Sequence, residues 1–142
     1  MTFTADINKF ISSSNDRIEA VFKQSVQEVI QEAQTDYNKG GFTPIDTSFL
    51  INSGQAAIGR VPIGPDEKPE NYTVQQWNPG ETVTTINRWR VGETLYFGWT
   101  ANYARAMENR YMFMRKAAQN WQYTVAKNAG LLMSKTLRAQ TK

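Results

Sequence analysis

An α+β fold is predicted by three observations: a long apolar stripe of helical period at the start, a middle third whose period falls to two around glycine and proline, and a return to helical spacing at the end. From about Asp6 to Asn38 apolar residues recur three and four apart, among them Ile7, Phe10, Ile18, Phe22, Val26, Ile30, Ala33 and Tyr37, which marks one face of a long helix. At about 1.5 Å per residue it would be on the order of 48 Å long. The polar run Ser12 to Asp16 interrupts the stripe, and Ser14 or Asn15 offers an N-cap, so residues 1–15 read either as helix or as a separate arm. Gly40-Gly41 is the expected stop, because glycine accepts the left-handed geometry of a helix C-cap.

A short second helix follows, capped by Thr43-Pro44 and Asp46-Thr47, stopped by Gly54, and carrying Phe49 and Leu50 on its apolar face. Gln55 to Val61 and Tyr72 to Trp77 then read as strands. Between them Pro62 to Glu70 holds three prolines and four charges, which predicts an exposed, extended and mobile loop over 62–71. Thr82 to Val91 and Thr94 to Trp99 are rich in Val, Thr, Ile, Trp and Tyr, and with Gly92-Glu93 between them they predict a hairpin. Alternation assigns Leu95, Phe97 and Trp99 to the core and Thr94 and Tyr96 to the opposite face. The expected sheet is antiparallel, with three to four strands. From about Asn102 to Arg138 a long C-terminal helical segment is predicted, kinked or split at Gly130.

The 142 residues, 40% apolar and 20% charged, fit one domain spanning 1–142 with a single modest core. The absence of cysteine removes disulfides, thiolate nucleophiles and cysteine-bound metals, and the absence of histidine removes the commonest general base and metal ligand. Glu81, Glu93 and Glu108 have no spacing that pairs two carboxylates. Asp66, Glu67 and Glu70 lack a calcium-loop pattern, and the glycines form no phosphate-binding fingerprint. The expectation is a non-enzymatic protein with no cofactor, no metal and no small-molecule substrate. No stretch approaches the roughly 18 apolar residues of a membrane span, and no basic start leads into an apolar run, so a cytoplasmic site of folding is expected.

Charge is unevenly distributed. Residues 1–40 lean acidic, while from Arg110 onward every charged side chain is basic. Such poles suit head-to-tail contact between copies. They suit a polyanion equally, and the basic C-terminal segment with Tyr111, Phe113, Trp121 and Tyr123 also reads as a nucleic-acid-binding face or as a plain amphipathic helix.

Two segments carry a family resemblance. Thr43-Pro44-Ile45-Asp46-Thr47-Ser48-Phe49-Leu50-Ile51-Asn52-Ser53 resembles the Pro-x-Asp-Thr-Gly-x-Leu-x-x-Ser pattern of the tail-completion, or neck, proteins of long-tailed double-stranded DNA phages. Ser48 stands where glycine is usual there, and Ile51 where a basic residue is common. Gly92 to Glu108 is similar to that family's strand running into Tyr-Ala-x-x-x-Glu, here Tyr103-Ala104 and Glu108. Phe113 and Ala117 fit the stretch that opens the family's last helix, with Met112 and Lys116 in place of its two prolines.

The resemblance implies a structural virion subunit, assembled in the host cytoplasm. It would join tail to head as a homo-oligomeric ring, of six copies, around a DNA channel without sequence-specific contact. Its neighbours would be head-completion and tail proteins, and a tail-terminator ring subunit is the alternative within the same class. Asp46, Thr47, Glu67, Lys68, Tyr103, Glu108, Arg110, Arg115 and Lys116 are the candidate interface residues. Glu108, just before the all-basic segment, is expected to form an ion pair with a lysine or arginine of its own or a neighbouring subunit. Asp46 or Thr47 is also explained as a helix cap.

Overall fold

The computed structural model describes residues 3–45 and 48–140, the outermost turns of the first and last helices by backbone alone. The first helix, α1 (Phe3–Ala33), is continuous through the Ser12 to Asp16 run, so residues 3–15 are helix rather than a separate arm. Its buried stripe is Val26, Ile30 and Ala33, with Phe22 half-buried one turn earlier. The helix ends before the glycine pair. A 3-10 turn at Tyr37–Lys39 follows, in which the Asp36 carboxylate accepts the Lys39 N–H and Gly40 takes the left-handed conformation at φ 85°. Gly40-Gly41 therefore caps this turn, and the chain doubles back so that the Tyr37 N–H reaches the Thr43 carbonyl at 2.9 Å.

The short helix α2 (Phe49–Asn52) buries Phe49, Leu50 and Ile51 and runs directly into the strand β1 (Gly54–Ile58). Ser48, its N-cap, has φ 67°. No strand forms over Tyr72 to Trp77: the segment is extended, but side chains of α2 take the place of a ladder. The Ser48 hydroxyl accepts the Gln75 N–H at 3.0 Å, and Asn52 Nδ2 donates to the Gln75 carbonyl at 2.9 Å.

The expected hairpin is not present either. Residues 80–88 form the helix α3 (Gly80–Arg88), and the turn at Arg90–Glu93 joins it to the strand β2 (Leu95–Trp99). Thr, Val and Ile favour strands, but Thr82, Ile86 and Trp89 are buried four and three residues apart, and that helical period decides the outcome. The Asn78 carboxamide oxygen accepts the Gly80 N–H at 2.9 Å, and Thr84 and Thr85 turn their hydroxyls back onto the carbonyls of Gly80 and Glu81. Among the described residues the sheet is thus two antiparallel strands, β1 and β2, paired from Gly54↔Trp99 to Ile58↔Leu95. Tyr96 is exposed while Leu95, Phe97 and Trp99 pack on the core, as alternation predicts.

The C-terminal segment is three helices, α4 (Ala104–Tyr111), α5 (Phe113–Ala118) and α6 (Trp121–Gln140). The breaks fall at Met112, in the left-handed conformation at φ 55°, and at Gln119–Asn120, and not at Gly130, which lies inside α6. Helices α1 and α6 run antiparallel, since Asn120 reaches Glu32 while Asn128 reaches Ser25 and Glu28. The core has two clusters. One is Phe49, Leu50, Ala101 and Phe113; the other is Val26, Ile30 and Ile86 with Phe22, Trp77, Leu95, Phe97 and Trp121 around it.

Candidate functional site: the sheet edge and the helical elbow

Two surfaces are built by these elements. The first is helix α4 with the elbow between α4 and α5, where Glu108, Arg110, Arg115 and Lys116 lie, with Tyr103 at the far end of α4. Tyr103 is the N-cap of α4 and its ring lies 6.4 Å from that of Phe49. Among the described residues Glu108 does not bridge to a basic side chain. Its two carboxylate oxygens accept the Met114 and Arg115 N–H groups at 2.8 and 3.0 Å, so it caps α5, whose first amides would otherwise lack partners. Arg110 sits 5.6 Å above the Tyr111 ring, Arg115 donates to the Met112 thioether, and the Lys116 ammonium lies 3.7 Å from the centre of the Phe42 ring. Arg110 and Arg115 are exposed and Lys116 half-buried, which leaves a basic face on the elbow.

Glu67 and Lys68 are exposed on the 62–71 loop, and the loop is tied to the start of α4 by the Asn102 N–H, which donates to the Asp66 carbonyl at 2.8 Å. Two further bonds hold it, from Thr100 Oγ1 to the Pro65 carbonyl at 2.7 Å and from Gln55 Nε2 to the Gly64 carbonyl at 3.3 Å. Asp46 and Thr47 lie outside the described residues.

The second surface was not singled out in the sequence. A polar groove of about 800 Å³ lies between the outer edge of β1, the segment 75–78 and α3. Asparagine, glutamine and threonine dominate its walls, with Trp77 among them and with Glu81 and Arg88 at the two ends of α3. In and on either side of the loop in the chain, Val61, Ile63 and Val74 are 64, 75 and 70% exposed.

The charged poles of the sequence meet inside one chain. Lys127 pairs with Glu28 at 3.0 Å, and Asn120 and Asn128 donate to Glu32 and Glu28 across the α1–α6 contact. The Glu28 carboxyl is lowered from its ordinary value, first by the hydrogen bond from Gln24, against an upward push from burial that ranks second, with Lys127 and Asn128 each adding a smaller lowering. One pair between the two poles, Glu28–Lys127, is thus made within the fold, while Arg110 and Arg115 stay exposed. Among the described residues no group of three or more carboxylates, histidines or cysteines is placed to hold a metal ion, and no helix is long and apolar enough to cross a membrane. Comparison with protein-family models, with curated proteins and with solved structures finds no match.

Proposed function

We propose that this chain is a structural subunit of a phage neck, joining tail to head as one copy of a ring around the DNA channel. One observation carries the reading. Ser48 occupies the position where the tail-completion motif has glycine, and its backbone sits at φ 67°, the left-handed region that glycine enters freely and other residues seldom do. A backbone requirement implied by the motif is thus met at the corresponding residue of this chain, although serine stands there. The two motif segments are also packed on one another: Phe49 and Leu50 from the first share a core cluster with Ala101 from the second, and Ala104 and Met107 pack against it.

Exposed Val61, Ile63 and Val74 are apolar surface that contact with a neighbouring subunit could cover. The nucleic-acid-binding alternative loses one cation, because Lys127 of α6 is paired with Glu28, and keeps the exposed Arg110 and Arg115. The test is made on particles: density for this protein at the head–tail junction, and unjoined heads and tails when it is deleted. Normal joining without it would refute the proposal.

A further inference from the structure

Resting on the ring-subunit reading, we propose that the groove beside β1 is an acceptor for an added strand and that its occupant is the Arg60–Ile63 segment of a second copy. The acceptor follows from the ladder. The Gly59 N–H reaches the Thr94 carbonyl at 2.9 Å and the Thr100 N–H reaches the Ser53 carbonyl at 3.2 Å, so residues 53, 55, 57 and 59 spend their backbone groups on β2. By the alternation of an antiparallel pair, Gly54, Ala56 and Ile58 direct theirs to the opposite edge. Gly54 and Ala56 line the groove. A row of unpaired strand groups is a template for another extended chain, and groove walls of carboxamides and hydroxyls suit a backbone better than an apolar cargo.

The donor is identified by three properties. Val61 and Ile63 are the exposed apolar residues nearest β1 in the chain, and they alternate about Pro62. That alternation puts the Val61 and Ile63 amides on one edge and the Pro62 nitrogen, which cannot donate, on the other, so the proline does not interrupt a ladder. Charge agrees as well: Arg60 precedes the apolar pair and Asp66 and Glu67 follow it, while α3 begins with Glu81 and ends with Arg88, so unlike charges face one another in one direction of insertion. The chain's own loop is tied to Thr100 and Asn102 at the end of β2 and to the Gln55 side chain of β1, and none of residues 59–66 lines its own groove. One donor and one acceptor per copy make a head-to-tail contact, the kind that closes into a ring.

The sequence has no cysteine, so introduced pairs report cleanly. Oxidation of the Ile63→Cys, Thr84→Cys variant should give a ladder of covalent homo-oligomers on assembled particles, and the Ile63→Cys, Ser134→Cys control should not. In solution, a peptide of residues 59–66 should shift the amide resonances of Gly54 and Ala56 saturably, and a peptide with proline at positions 61 and 63 should bind at least tenfold more weakly. A silent peptide, equal binding of the proline peptide, or a cross-link to a different virion protein would overturn the inference. The two readings fail separately. If the peptide binds as expected but the protein is missing from the junction, strand addition stands and the neck reading falls; protein at the junction with no ladder and a silent peptide gives the reverse.

Discussion

The two core clusters are built from different kinds of sequence. The Phe49–Leu50–Ala101–Phe113 cluster draws on short elements, α2, α4 and α5, each fixed by a local device: a left-handed N-cap at Ser48, a left-handed elbow at Met112, a capping carboxylate at Glu108. The Val26–Ile30–Ile86 cluster draws on long-range packing of α1, α3 and α6, with few such devices. Strand β2 joins them, since Leu95 and Phe97 face the second cluster and Trp99 the first, and the Trp99 indole N–H donates to Gln34 Oε1 at 2.8 Å across the seam. Local devices determine where elements start and stop; long-range packing determines which elements they are.

The largest expected effects come from emptying each cluster. Phe113→Ala should cost about 3–5 kcal/mol and Ile86→Ala about 2–5 kcal/mol, because both side chains are essentially fully buried. Denaturant melts followed by two probes test the comparison itself. If β2 couples the clusters into one cooperative unit, both variants unfold in a single transition, whereas separated transitions would show that the halves melt independently.

This contrast also explains what could be read from the sequence. The stop before β1, the α2 face and the alternation of β2 were legible because glycine and short apolar periods act within a few residues; the α2 cap was not, since its N-cap is Ser48 and neither Asp46 nor Thr47. The helix α3 was not: Thr82 to Ile86 carries strand-forming residues, and only burial against α1 reveals the helical period. Tyr72 to Trp77 has a strand's composition without a strand's partner, since Ser48 and Asn52 occupy the Gln75 backbone groups. The break at Met112 was hidden because the signal lies in Glu108, four residues earlier and aimed at amides beyond the bend. The groove was invisible for a simpler reason. An unpaired strand edge exists only once the sheet is known to stop at two strands.

The seam can be stressed next. A Cβ at Gly54 would lie 2.3 Å from Gln34 Nε2, the group that donates to the Ile51 carbonyl at 2.8 Å, so Gly54→Ala should destabilise by about 1–3 kcal/mol. Gln34→Ala alone orphans the Trp99 indole N–H and should cost about 1–3 kcal/mol. The double variant should cost less than the sum, since removing Gln34 makes room for the methyl group. Strict additivity would mean that the strain at Gly54 arises elsewhere.

A smaller effect probes the local device on which the proposed function leans. Ser48→Ala keeps the left-handed backbone in a residue with a side chain and loses the hydroxyl's bonds to Tyr72 and the Gln75 N–H, a cost of about 1–2 kcal/mol. Ser48→Gly loses the same bonds but relieves a left-handed conformation that costs an L-residue about 1–2 kcal/mol, so it should lie within about 1 kcal/mol of the parent. Thermal melts in which alanine is tolerated better than glycine would contradict the backbone argument.

The smallest effect lies in the helical half, at the Glu28–Lys127 pair. Glu28 has its carboxyl depressed in the folded state, so the stability it supplies is present above the unfolded glutamate value of about 4.3 and is lost as pH falls through the folded value. The pair is partly exposed, with side chains 42% and 32% accessible, and should contribute less than about 1 kcal/mol. Other carboxylates titrate in the same window, so the measurement is a difference: between pH 6 and about pH 3 the parent should lose slightly more stability than Glu28→Gln, whose amide cannot titrate. Equal losses would mean that the Glu28 carboxylate gains nothing from Gln24, Lys127 and Asn128, and that the charge of Lys127 is free for a polyanion. That result would strengthen the nucleic-acid-binding alternative, which makes the weakest interaction in the comparison the one most informative about partners.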